Sequence, residues 1–123
     1  MVLGTWDFLG DESVMVNPTA VRVPVFFGHG EALHIETRTQ TSAEEVKALL
    51  KQAEGIVVCE NDEDFPTQIG DASGKDETFV GRIREDISHP NGINMWIVAD
   101  NVRKGAATNS IQIAELLIKD YLS

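Results

Sequence analysis

The chain has 123 residues with 42% apolar and 24% charged side chains, enough to bury roughly two thirds of its unfolded surface around a single core. Twenty acidic against ten basic residues give a formal charge of −10, which repels phosphate backbones and anionic lipid, so neither nucleic acid nor membrane is an expected partner. One cysteine, Cys59, excludes an internal disulfide and a cysteine-cluster zinc site, and fits a reducing compartment.

The first residues, Met1 to Leu9, lack the basic stretch of a secretory signal, and no window approaches the roughly 18 apolar residues of a membrane span. A cytoplasmic protein is expected. Asn17-Pro18-Thr19 carries proline in the position that forbids glycosylation, in keeping with that placement.

Val21, Val23, Val25 and Phe27 alternate with Arg22, Pro24 and Phe26, which predicts a strand with one buried face over 21–27. Pro24 lacks an amide hydrogen, so that strand is expected at a sheet edge or with a bulge. Gly28-His29-Gly30 should interrupt the pleat. Leu33, Ile35 and Thr37 then alternate with His34, Glu36 and Arg38, which predicts a second, half-exposed strand.

Ser42 followed by Glu45 forms a capping-box pattern, and Val46, Leu49 and Leu50 supply an apolar stripe for a helix ending near Gly55. A short strand is expected at Gly55 to Cys59, then an acidic loop from Glu60 to Lys75 containing Pro66. Thr78 to Glu85 and Ile93 to Ala99 read as an antiparallel hairpin turned by Ser88-His89-Pro90-Asn91-Gly92. From about Lys104 to Tyr121 a last helix places Ala107, Ile111, Ala114, Ile118 and Leu122 beside a second stripe of Ile113, Leu117 and Tyr121. That apolar arc is wide for a surface helix. Several strands, two clear helices and no strict alternation predict an α+β domain with a mixed, largely antiparallel sheet and helices packed on one face.

Gly28-His29-Gly30-Glu31-Ala32-Leu33 begins like a dinucleotide fingerprint, but it ends on Leu33 and leads into a strand, so the helix N-terminus needed for a pyrophosphate is missing. His29 and His34 are separated by an odd number of residues, which on extended chain sends them to opposite faces and argues against a shared metal. Asp62, Glu63 and Asp64 lack the glycine and terminal glutamate of a calcium loop and read as solvated acid. Cys59, following Val57 and Val58, reads as a small buried hydrophobe and not as a nucleophile.

Arg22 and His29 carry more information. Between Val14 and Phe27 Arg22 is the only ionisable side chain, which either pairs with a carboxylate of the protein or awaits one from a ligand. His29, between two glycines, is either a turn residue or an imidazole that a ligand can approach closely near its titration range.

Three blocks resemble the bacterial aspartate-semialdehyde dehydrogenases in that family's order: Val21-Arg22-Val23-Pro24-Val25-Phe26-Phe27-Gly28-His29, then Phe79-Val80-Gly81-Arg82-Ile83-Arg84-Glu85-Asp86-Ile87-Ser88, then Ala99-Asp100-Asn101-Val102-Arg103-Lys104-Gly105-Ala106-Ala107. The resemblance runs from about Gly10 onward, corresponds to roughly the last third of a family member, and leaves the first nine or so residues outside. It implies reduction of β-aspartyl phosphate by NADPH through a cysteine thioester. By the same resemblance Arg22 matches the arginine that grips the substrate carboxylate, His29 the acid/base residue, and Asn101 a position at the nicotinamide end of the cofactor.

The nucleophilic cysteine and the NADP-binding domain lie upstream of the matched region in that family, and Cys59 does not align with the nucleophile. The resemblance therefore implies a single domain over 1–123, silent in catalysis and without bound cofactor when alone, whose partners are a second copy in a dimer and an upstream fragment of the same enzyme. In the family the final helix packs on the cofactor domain, so self-association through exposed apolar surface is expected here. The rival reading is a stand-alone interaction or regulatory module that kept the fold without the chemistry. A third is a plain acidic protein in which Arg22 makes a structural pair.

Overall fold

A computed structural model describes residues 5, 7, 9–61, 63 and 65–122. Four strands form one mixed sheet in the order β1-β4-β3-β2, with β1 at His29–Glu36, β2 at Ile56–Val58, β3 at Thr78–Glu85 and β4 at Gly92–Ala99. The hairpin β3-β4 is antiparallel, as its alternating apolar residues and turn chemistry predict, and β1 pairs antiparallel with β4 from His29 opposite Ala99 to Glu36 opposite Gly92. Only β2 runs parallel to its neighbour β3.

The helix α1 at Ala43–Gln52 carries the expected capping box. Ser42 Oγ accepts the Glu45 amide at 3.2 Å while Glu45 accepts the Ser42 amide at 2.8 Å. A further carboxylate, Glu85 on β3, accepts the Ala43 amide at 2.7 Å and ties the helix N-terminus to the sheet. Ala43 is buried, and Val46 and Leu50 pack with it on Val80, Ile83, Ile93 and Met95. Leu49, expected on the apolar stripe, is 66% exposed. Seating the small Ala43 against the sheet rotates the helix so that positions 43, 46 and 50 face inward.

On the opposite face a π-helical turn at Gln68–Ala72 covers one end of the sheet. Ala72, Phe79 and Val98 form a second buried cluster flanked by Cys59 and Trp96, so Cys59 sits half-buried among apolar side chains. The Trp96 indole donates to the Pro66 carbonyl at 2.8 Å and anchors that covering segment.

Two expectations are corrected. Residues 21–27 are not a strand: they run irregularly before β1, and Val21, Val23, Val25 and Phe27 are exposed. Alternation predicts which faces a strand would present, but a strand also needs a partner edge, and Pro24 withholds one donor. Nor does Gly28-His29-Gly30 interrupt the pleat as a unit. Gly28, at φ 79°, makes the turn, and His29 and Gly30 already belong to β1. The last helix, α2 at Ala107–Leu117, continues as a π-helical turn through Ile118–Leu122, and buries none of its residues.

Candidate functional site

The Gly28 turn brings two of the three predicted site residues together. Across the sheet edge, the Gly28 amide donates to Asn101 Oδ1 at 2.9 Å, while His29 lies opposite Ala99 in the β1-β4 register. A side chain at Gly28 would come within 2.9 Å of Gln68 Cβ, and one at Gly30 within 2.5 Å of the Trp96 ring. Both glycines thus let the His29 backbone lie flat on a platform of Gln68 and Trp96. His29 itself is half-exposed, with Nδ1 3.9 Å from the Glu31 carboxylate.

The other anchor of this corner is Asp100. It is buried and accepts the amides of Gly74 at 2.8 Å and Val102 at 2.9 Å, and these hydrogen bonds, Gly74 first, hold its carboxyl below the usual carboxylate range. Arg103 pairs with Asp76 at 2.9 Å, and Thr108 donates to the same Asp76 oxygen at 2.8 Å, which fastens the start of α2 to the loop before β3.

Among the described residues, no hydrogen bond or ion pair joins Arg22 to this corner. It is exposed in the irregular segment before Gly28 and, among the described residues, pairs with no carboxylate. Neither of two shallow cavities borders Arg22 or His29. One, of about 300 Å³, is lined by Ala32, Phe65, Arg82, Arg84, Met95 and Trp96. The other, of about 380 Å³, lies between α1 and Glu60.

His34 takes a different course from His29. On β1 the two occupy positions of opposite parity, and His34 Nδ1 lies 3.1 Å from Asn94 Oδ1 and 3.3 Å from Asp86 Oδ2, with Nε2 3.4 Å from Glu36. Those acceptors, Asn94 first, raise the pKa of His34 above its ordinary value. Asp86 accepts from the Ser88 hydroxyl and amide, each at 2.6 Å, and from Asn94 at 3.1 Å, which pulls its carboxyl far below the usual range. Asp62 and Asp64 of the acidic loop lie outside the described residues, and Glu63 between them is exposed.

With the geometry in place, comparison with known proteins decides the family. The family described as semialdehyde dehydrogenase, dimerisation domain, matches residues 1–104. The chain belongs to that family. An aspartate-semialdehyde dehydrogenase from a Shewanella species is 57% identical over 121 residues, 98% of this chain and 36% of the relative. Aspartate-semialdehyde dehydrogenase 2 of Vibrio cholerae is 60% identical over the same shares. The crystal structure of the Vibrio cholerae aspartate semialdehyde dehydrogenase II complexed with ASA superposes with a TM-score of 0.93 at 60% identity, over 98% of this chain and 36% of that one.

The chain therefore spans about 36% of the length of these semialdehyde dehydrogenase relatives. The match begins at residue 1, so the first nine residues, expected to fall outside the resemblance, lie within it. The description of this semialdehyde dehydrogenase domain points to homo-oligomerisation. The domain match stops at Lys104, just before α2, whereas the relatives' similarity continues over nearly the whole chain. Among the described residues no helix is long and apolar enough to cross a membrane.

What sequence reasoning missed is the platform. Gln68 and Trp96 show no motif of their own, and the signal that pointed toward them was the pair of glycines around His29, whose missing side chains make room for both.

Proposed function

We propose that this chain is the substrate-binding and dimerisation region of an NADP-dependent aspartate-semialdehyde dehydrogenase, in a dimer and in combination with an upstream part that supplies the nucleophilic cysteine and the cofactor domain. The single observation that carries this reading is 57% to 60% identity with aspartate-semialdehyde dehydrogenases over 98% of the chain, at about 36% of their length. The reaction joins the reduction of β-aspartyl phosphate to release of phosphate. In it Arg22 binds the substrate carboxylate through a two-pronged guanidinium pair, which fixes orientation as well as energy. An exposed arginine with no carboxylate partner among the described residues supports that role.

His29 is the acid/base group. Its half-exposed imidazole takes a proton from the attacking group in one step and returns it in another. Asn101, whose Oδ1 accepts the amide of Gly28 just before that histidine, serves in this reading at the nicotinamide end of the cofactor. The Gly28–Gly30 turn does not supply a dinucleotide site: it leads into β1, so no helix amide is aimed at a pyrophosphate there. NADP binding accordingly falls to the upstream part.

The wide apolar arc of α2 fits the same arrangement. Ile111, Ile113, Leu116, Leu117, Ile118 and Tyr121 are all about half exposed or more. They suit a docking face for the cofactor domain, and they lie beyond the end of the dimerisation-domain match.

Mixing the chain with a separately made upstream fragment and following phosphate-dependent NADPH formation from aspartate semialdehyde tests the reading. Turnover should require both parts. In that mixture Arg22→Ala should lower kcat/KM by about 30-fold or more, the consequence of losing a pair worth about 2 to 5 kcal/mol. His29→Ala should lower kcat by about 10² to 10⁴. Activity untouched by either change removes that residue from the site, and binding of an unrelated partner without turnover favours a stand-alone interaction module.

A further inference from the structure

We propose that Asn101 is the positioning residue for His29, holding the histidine turn through its side-chain oxygen while its amide nitrogen is turned away from Gly28 as a separate donor. The catalytic consequence rests on His29 acting as the acid/base group, whereas the positioning itself is a property of this chain alone.

The geometry begins at Gly28. Its φ of 79° lies in the left-handed region, and its amide donates across the sheet edge to Asn101 Oδ1 at 2.9 Å. A backbone N–H only donates, so the oxygen of the Asn101 amide must face Gly28, and Nδ2 with its two hydrogens points elsewhere. Asn101 is itself held from behind, because the preceding Asp100 is buried and accepts the Gly74 and Val102 amides.

Beneath the turn, the chain has no slack. A Cβ at Gly28 would meet Gln68 Cβ at 2.9 Å and the Ala99 carbonyl at 3.2 Å, and a Cβ at Gly30 would meet Gln68 Nε2 at 2.7 Å and the Trp96 ring at 2.5 Å. Trp96 is fixed in turn by its hydrogen bond to Pro66. His29 thus begins its strand pairing opposite Ala99 above a platform that limits movement into the sheet, and the Gly28–Asn101 hydrogen bond fixes the turn that enters it. Under the proposed function the same side chain also meets the cofactor, so occupancy at the Asn101 amide and the setting of His29 are linked.

Two substitutions separate the functions of the one side chain. Asn101→Asp keeps an acceptor for Gly28 and removes the amide donor, while Asn101→Ala removes both. Amide hydrogen exchange of Gly28, followed by NMR in the chain alone with the core amide of Val98 as reference, should accelerate about tenfold in Asn101→Ala and stay near the parent rate in Asn101→Asp. Gly28 exchange unchanged in Asn101→Ala overturns the proposal. If Val98 also accelerates, the alanine variant has opened globally and the aspartate variant decides: Gly28 protection retained supports the assignment, and protection lost overturns it.

The mixture with the upstream fragment adds a readout that general destabilisation would not split. Asn101→Ala should lose kcat by on the order of 10²-fold, as expected for a misplaced acid/base group. Asn101→Asp should recover most of kcat at saturating NADP with a raised KM for NADP. Equal loss of kcat in both variants removes the positioning role. Absence of turnover in the unmutated mixture counts against the proposed function, and leaves the exchange result to decide the Asn101 contact by itself.

Discussion

The sheet with α1 and the two flanking segments, 9–28 and 107–122, are equally rich in apolar residues, yet they fare oppositely. Ile93 and Val98 are 1% and 0% exposed, whereas Phe26 and Tyr121 are 95% and 79% exposed. Apolar composition sets how much burial a segment needs, and only the presence of a matching surface sets whether it happens. The inner region finds its matching surfaces within the chain. The flanks carry Val21, Val23, Phe26 and Phe27 on one side and Ile111 to Leu122 on the other, and under the proposed function those side chains meet the rest of the enzyme and a second copy.

Breaking the inner region should give the largest effect. Ile93→Ala deletes a fully buried side chain at the centre of the helix-side cluster and should cost about 3 kcal/mol, read as a lowered urea midpoint. A change below about 1 kcal/mol would mean that the cluster does not hold the fold. Ser42→Ala should cost about 1 kcal/mol in the same measurement by removing the acceptor for the Glu45 amide, with Glu85 still bound to the Ala43 amide.

The flanks should respond the other way. Leu116→Glu together with Ile118→Glu should shift the stability of the isolated chain by less than about 0.5 kcal/mol, because both side chains are already more than half exposed. The same pair should reduce self-association in light scattering and weaken capture of the upstream fragment. A large loss of stability in the isolated chain would instead show that α2 is part of the core.

The smallest and most diagnostic effect concerns pH. His34 has a raised pKa in the folded chain through Asn94, Glu36 and Asp86, so its contribution is fully present below the unfolded value near 6.5 and is lost as pH rises through the folded value. Asp86 has a lowered pKa, so its contribution is present above the ordinary carboxylate value near 3.9 and fades only as pH falls toward its much lower folded value. The Tm difference between parent and His34→Gln should therefore shrink between pH 6 and 8. A difference independent of pH would remove His34 as the titrating group.

The parts of the molecule legible in the sequence are those with local causes. The capping box at Ser42 and Glu45 announces α1, and Pro90, Asn91 and Gly92 announce the turn between β3 and β4. The three family blocks, and with them Arg22, His29 and Asn101, are legible as pattern. The contact of Asn101 with Gly28 is not, because it joins residues 73 positions apart whose proximity depends on the β1-β4 register. Residues 21–27 show the converse failure: their alternation is real, but Pro24 and the lack of a pairing edge leave them irregular.

By itself the sequence determined the family, the helix start, the hairpin and the placement of glycine on both sides of His29, since each is encoded by neighbouring residues or by short motifs. Tertiary structure alone decided that Gln68 and Trp96 underlie those glycines, that Asn101 holds the turn, and that α2 leaves its apolar arc uncovered. Those outcomes depend on which surfaces the folded chain brings within a few ångströms, and that is set by register and packing across the whole sheet.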